Sequence, residues 1–231
     1  MKHRWVKIFQ IAVTYIGTVV GAGFASGQSI MQFFTLYGSV GAAGIIVSTL
    51  LFMWLGTKMM IYAHRIQAFS YQEFNDHLFG SLFGKVANFL TLLILLGVTA
   101  VMLSGTGSIF AEQLQLPYQL GIIVSIVLSY LVMTRGMNGI VVVNVLVVPM
   151  ILLFTSLIAF RAIEPEGLFG INGFQLQQLQ SYKWVLSPFV YAALNFAFIQ
   201  AVLIPLGSEI QEESTLKWGG FWGGIGLGSM L

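Results

Sequence analysis

From Ile8 to Thr57 the chain carries no charged side chain, a run of fifty residues counted inclusively from position 8 to position 57. A membrane helix needs only about twenty apolar residues, so this run is too long for one crossing. The turn-like Tyr37-Gly38-Ser39 divides it. Elsewhere, too, the charges sit between apolar stretches. Read this way, residues 1–231 form one transmembrane domain. Its spans lie near 5–36, 41–62, 86–111, 119–134, 136–160 and 184–208, and an incomplete span covers 218–231. Only 8% of the residues are charged and 57% are hydrophobic, whereas soluble domains are near a quarter charged. The expected class is therefore an all-α polytopic membrane protein in a lipid bilayer.

Lysine and arginine orient the spans. With the N-terminus in the cytoplasm, Lys2, Arg4, Lys7, Lys58, Arg65, Lys85, Arg135 and Lys217 fall inside, and only Arg161 and Lys183 fall outside. That eight-to-two bias requires an odd number of crossings before the Arg161–Lys183 loop, and five precede it. The expected location is the cytoplasmic membrane, multi-pass, with a cytoplasmic N-terminus. The loop after span two contains Ser70-Tyr71-Gln72-Glu73, a capping-box pattern, with Gly80 at a plausible helix end. It reads as a short interfacial helix over 71–79.

Several function classes are excluded or disfavoured. There is no cysteine, hence no disulfide, thiolate metal site or cysteine nucleophile. A net charge of +2 with no basic aromatic cluster gives no ground for nucleic-acid binding. No catalytic dyad, metal cluster or phosphate loop is recognisable, so no enzyme activity and no cofactor are expected.

The first span contains Thr18-Val-Val-Gly-Ala-Gly-Phe-Ala-Ser-Gly-Gln28, a run that suits a buried helix poorly. Gly23 and Ala25 fit a signal-peptide cleavage rule, but the apolar character continues through Ile30, Phe33 and Phe34. The Gly21/Gly23 spacing resembles a nucleotide loop, yet no strand precedes it. Two readings stay open. In one, Gly17, Gly21, Gly23 and Gly27 form GxxxG pairs for close helix packing. In the other, the helix is broken near 21–23. A continuous helix over 5–36 would measure about 48 Å against a hydrocarbon core of about 30 Å. Two half-helices would instead expose carbonyls to a cation and amides to an anionic group.

Thr14 to Gln28, followed by Phe33-Phe34 and Gly38, resembles the first helix of a bacterial family of amino-acid permeases. That family is similar to the amino acid–polyamine–organocation superfamily, with its LeuT-type fold of two inverted five-helix repeats. The Asn195 segment and Val202-Leu-Ile-Pro-Leu-Gly207 resemble that family's sixth helix. The resemblance implies a truncated LeuT-type inverted-repeat fold: the first five-helix repeat, helix six and the start of helix seven. It further implies an interruption in helix six, with Asn195 as its companion. The function implied is secondary active transport of an amino acid or related small zwitterion by alternating access.

On that resemblance, Ala22, Gly23, Phe24, Ala25, Ser26 and Gly27 face the substrate, the amides of Phe24, Ala25 and Ser26 receiving its carboxylate. The backbone of Val20, Gly21 and Gly23 holds a cation. Asn195 faces either a cavity or a partner helix. Tyr191, Phe196 and Phe198 form either an aromatic lid over the substrate or ordinary core. Span five has Asn144 and Pro149 where some relatives place a lysine. No ionisable side chain lies at the centre of any span, and a proton relay usually needs one. Na+ is therefore the better-supported coupling ion for this portion, with H+ left open should helices outside it hold a proton site. The alternative is a non-transporting sensor or assembly subunit whose glycines serve helix packing.

Overall fold

The computed structural model describes residues 2–20, 27–162 and 183–231, and no strand occurs among them. The helices are α1 (Lys2–Val19), α2 (Gln28–Phe33), α3 (Ser39–Leu51), α4 (Thr57–Ile66), α5 (Tyr71–Glu112), α6 (Tyr118–Met133), α7 (Gly136–Ala162), α8 (Lys183–Glu209) and α9 (Glu213–Met230). A π-turn over Phe52–Gly56 joins α3 to α4 in one continuous rod. Among the described residues, four helical stretches are long and apolar enough to cross a membrane: Val40–Ile66, Tyr71–Glu112, Gly136–Ile158 and Lys183–Glu209. α1 falls outside that set because Lys2, Arg4 and Lys7 occupy its start, and α6 because it has only 16 residues.

Burial divides the helices into a centre and a rim. In α8, 44% of the apolar window is buried, against 6% in α5 and in α7. The main core joins Ile11, Tyr15 and Ile16 of α1 with Phe34, Phe52, Met60, Val148, Tyr191, Ile199, Leu203, Leu216 and Leu227. Outward-facing leucines and valines on α5, α6 and α7 are what a lipid-facing surface requires, since lipid is as apolar as they are.

Glycine sets how closely the central helices approach. A methyl group added at Gly219, Gly223 or Gly226 of α9 would lie 2.4–2.6 Å from Ile11, Tyr15 or Ile16 of α1. On the adjacent face, Gly220, Gly224 and Gly228 abut Thr57, Met53 and Thr49, at 2.2–2.5 Å from such a methyl. α9 is thus wedged between two helices along two glycine faces, the small-residue packing that membrane helices use in place of a hydrophobic driving force. Gly207 of α8 meets the Met60 backbone in the same way.

These contacts also fix relative directions. Residue numbers rise together along α1 and α9, from Ile11–Gly219 to Ile16–Gly226. They rise together along the α3–α4 rod and α8, from Gly44–Pro188 through Phe52–Tyr191 to Met60–Gly207. They run oppositely between the rod and α9. α1 and α9 therefore point one way, and α3–α4 and α8 the other.

The capping pattern at Ser70 forms. Ser70 Oγ accepts from the Glu73 N–H at 3.2 Å, and Glu73 Oε2 accepts from the Phe69 N–H at 2.8 Å, one residue earlier than in the usual reciprocal box. Gly80, at φ 74° and ψ 173°, ends this first leg, because that conformation suits only glycine, and α5 then continues at a kink.

One expectation is corrected. The interruption expected in helix six is absent: α8 is helical from Lys183 to Glu209, with Pro188 and Pro205 inside it. No glycine lies near its middle, and Asn195 Nδ2 donates to the Tyr191 carbonyl one turn back at 2.7 Å. The side chain thus decorates an intact helix rather than replacing a missing backbone bond.

Candidate functional site at the interrupted first segment

The first apolar segment is not one continuous helix. α1 ends at Val19, Val20 is non-helical, and the chain resumes as α2 at Gln28. Gly27 precedes α2 at φ 72°, a left-handed conformation that glycine adopts without strain. Gly21, Ala22, Gly23, Phe24, Ala25 and Ser26 lie outside the described residues. Of the expected first-helix site, Val20 and Gly27 are described. The Val20 N–H still donates to the Ile16 carbonyl at 3.0 Å, and its side chain packs on the core.

The second half of this segment is tied to α8 rather than to α1. Ser187 Oγ donates to the Phe33 carbonyl. The Tyr191 ring lies 5.3 Å from Phe33 and 5.1 Å from Phe34, and meets Phe52 of the rod edge-on at 5.9 Å. Such tilted and edge-to-face arrangements are the favoured aromatic geometries. Tyr191 is buried, and so is Asn195. Phe196, half-buried, stacks at 5.4 Å on Phe52, and Phe198 packs on the same core. Tyr191, Asn195 and Phe196 thus converge where α2, α3 and α8 meet.

The sequence noted Asn144 only in place of a lysine, but the structure brings it to the neck of the interruption. A methyl group at Gly17 would collide with Asn144 Oδ1, so this oxygen lies against the α1 backbone within its last turn. Its Nδ2 donates to Ile140 O at 2.9 Å within α7. Gly17 is a glycine because an amide oxygen occupies the space a side chain would need.

Two hydroxyls in the same core elements are anomalous. Thr14 Oγ1 on α1 and Ser48 Oγ on α3 are fully buried and find no hydrogen-bond partner among the described residues. An unsatisfied buried hydroxyl costs about 1–3 kcal/mol. His64 Nδ1 on α4 is likewise buried without a partner among the described residues. Gln200, by contrast, is paired: its Nε2 donates to Thr91 Oγ1 at 2.8 Å, linking α8 to α5. Tyr15 donates its hydroxyl hydrogen to the Phe52 carbonyl at 2.9 Å, at the start of the π-turn. Thr99 and Thr106 bond back to carbonyls of their own helix, and Ser104 accepts from Tyr118.

At the end of the bundle rich in basic residues, Arg65 forms a two-pronged pair with Glu213, Nε to Oε1 at 2.7 Å and Nη2 to Oε2 at 3.0 Å. The Arg65 guanidinium holds the Glu213 carboxyl below the usual range, and this pair ties α4 to α9. Glu212 accepts from Thr215 Oγ1 and lies 4.0 Å from Arg4. Glu212 and Glu213 thus bring basic side chains of α1 and α4 to the start of α9.

By sequence the chain is similar to two curated proteins. Over 223 residues the chain is 46% identical to the uncharacterized membrane protein YkvI of Bacillus subtilis (strain 168), covering 96% of this chain and 63% of that protein. Over 204 residues it is 26% identical to the uncharacterized protein YyaD of the same organism, covering 87% of this chain and 57% of YyaD. The chain thus spans about three fifths of the length of these curated relatives. No protein-family model matches the sequence. No solved structure matches it either. The likeness to YkvI and the four long apolar helices agree with the composition: this is a membrane protein built of several apolar helices.

Proposed function

We propose that the protein is a secondary transporter of an amino acid or similar small zwitterion, built on a LeuT-type inverted repeat and working by alternating access. The observation that carries this reading is that α1 ends at Val19 with Val20 non-helical, and that Gly27 is left-handed where α2 begins. Non-helical backbone at membrane depth is tolerated where it lines a site or is enclosed by protein. On this reading the backbone of Val20, Gly21 and Gly23 offers carbonyls to a cation, and the amides of Phe24, Ala25 and Ser26 receive a carboxylate. The unpaired hydroxyls of Thr14 and Ser48 add oxygen donors of the kind a hard cation such as Na+ selects. The shared direction of α3–α4 and α8 agrees with an odd number of crossings before α8. The intact α8 is the feature that fits this architecture least.

Reconstituted into liposomes with an imposed Na+ or H+ gradient, the protein is expected to accumulate at least one member of an amino-acid panel. Accumulation should collapse when the gradient is dissipated. No substrate-dependent response under either gradient sinks the reading.

The second reading is a non-transporting sensor or assembly subunit. It has its own observation, since the described glycines Gly17, Gly219, Gly220, Gly223 and Gly224 all serve close helix contacts. Under it, Gly23→Ala and Ser26→Ala leave ligand binding unaltered while Gly17→Leu disrupts assembly.

A further inference from the structure

Beside the seam between the α3–α4 rod and α9, on the outer surface, lies a groove of about 470 Å³. Leu50, Met53, Trp54 and Phe221 give it an apolar wall, and Lys58 and Lys217 stand in it as well. A smaller cleft of about 220 Å³ adjoins it, sharing Lys58 and Lys217 and adding Arg65. The antiparallel register, with Gly220 at Thr57 and Gly224 at Met53, puts Lys217 at the Lys58 end and Phe221 nearer Trp54. The groove is thus cationic at one end and apolar over the rest. The eight helical steps from Leu50 to Lys58 give it a length of about 12 Å.

The charges at the cationic end are not equivalent. Arg65 is engaged by Glu213. Lys58 and Lys217 form no ion pair among the described residues. Both are exposed, as are Leu50, Trp54 and Phe221. Lys217 feels the Glu213 carboxylate one turn back without pairing with it, and Lys58 has no acidic partner within 4.0 Å among the described residues. Two ammonium groups without an ion pair at the head of an apolar channel attract an anion that carries an apolar tail. A small soluble anion would leave the apolar wall uncovered, and a zwitterionic lipid would bring its own cation beside the lysines.

We propose that this groove is a binding site for an anionic phospholipid. The lipid phosphate lies between Lys58 and Lys217, and one acyl chain runs along Leu50, Met53, Trp54 and Phe221. The site is separate from the interrupted segment and does not depend on the transport reading.

The test titrates the purified protein in neutral detergent with phosphatidylglycerol, phosphatidylcholine of the same chains, and inorganic phosphate. Bound lipid is counted by native mass spectrometry, and thermal stability is followed in parallel. Phosphatidylglycerol should bind with clear preference and raise the melting temperature. Lys58→Gln and Lys217→Gln should each weaken it roughly five-fold, the factor corresponding to about 1 kcal/mol per basic residue near anionic lipid. Trp54→Ser should weaken it too, whereas Lys85→Gln on α5 should not. Lys58→Arg should retain binding, which separates loss of charge from loss of fold. Equal binding of the two lipids overturns the proposal, as does undiminished phosphatidylglycerol binding by the double lysine variant. Protection by inorganic phosphate equal to that of the lipid overturns it as well.

Discussion

Tyr15 is the side chain on which the central packing turns, and Gly56→Ala tests that directly. The tyrosine is fully buried and donates its hydroxyl hydrogen to the Phe52 carbonyl at 2.9 Å. A methyl at position 56 would lie 2.2 Å from that hydroxyl oxygen and 2.5 Å from Cζ. On its other flank the ring is held by Gly223, whose added methyl would lie 2.6 Å from Cδ1. The ring therefore cannot slide away from Gly56 without meeting α9. Overpacking of this kind costs about 1–3 kcal/mol, and displacing the buried hydrogen bond adds about 1 kcal/mol. Gly56→Ala should thus destabilise by about 2–4 kcal/mol. At roughly 2–4 °C per kcal/mol for a chain of this size, the melting temperature in detergent should fall by about 4–16 °C. Tyr15→Phe alone should cost about 1 kcal/mol. Because the hydroxyl is the atom nearest the new methyl, the double variant should be more stable than additivity predicts, by at least about 0.5 kcal/mol. A Gly56→Ala protein as stable as wild type refutes the packing argument, and an additive cycle refutes the role given to the hydroxyl.

Replacing the unpaired hydroxyl in Thr14→Val should raise the melting temperature of the ligand-free protein, since an isosteric methyl removes an unsatisfied buried group; a fall would show that the hydroxyl has a partner. Gly17→Ala should destabilise through collision with Asn144 Oδ1, and Asn144→Ala in the same chain should restore much of the loss in the same melting assay. Ser70→Ala should cost about 1 kcal/mol, seen as faster amide exchange confined to the first leg of α5. The Glu213 carboxyl is held low by Arg65, so its stabilising effect is present above the unfolded carboxylate value and lost as pH falls through the folded one. The difference in melting temperature between wild type and Glu213→Gln should accordingly shrink from pH 7 to pH 3, and also at high salt; a difference independent of pH would exclude the pair.

Much of this molecule was legible in the order of its residues. Absence of charge over long runs determined that the chain is helical and lives in a bilayer, because lipid offers backbone groups no partner outside a helix or closed barrel. The capping signal at Ser70 and the glycine at position 80 also announced themselves, since they rest on local hydrogen bonds and local dihedral angles. The excess length of the first apolar segment argued for a break near 21–23, which lies outside the described residues, and α1 is seen to end at Val19.

Other features were decided only in three dimensions. Spacing alone could not assign the glycines of α9 to two partners, because which helix lies opposite each face depends on packing across the chain. Nor could composition say whether Tyr191 caps a cavity or fills a core, and its three aromatic neighbours come from the end of α2, the residue after it and the π-turn of the rod. Asn144 looked unremarkable in sequence until the fold set its oxygen against Gly17, 127 positions earlier in numbering (144 minus 17). The intact α8 shows the limit of arguing by symmetry between halves: without a central glycine, the backbone bonds of an apolar helix hold, and an asparagine is accommodated by bonding back one turn. Local chemistry fixed which segments are helices, and only the close approach of distant segments fixed which side chains meet.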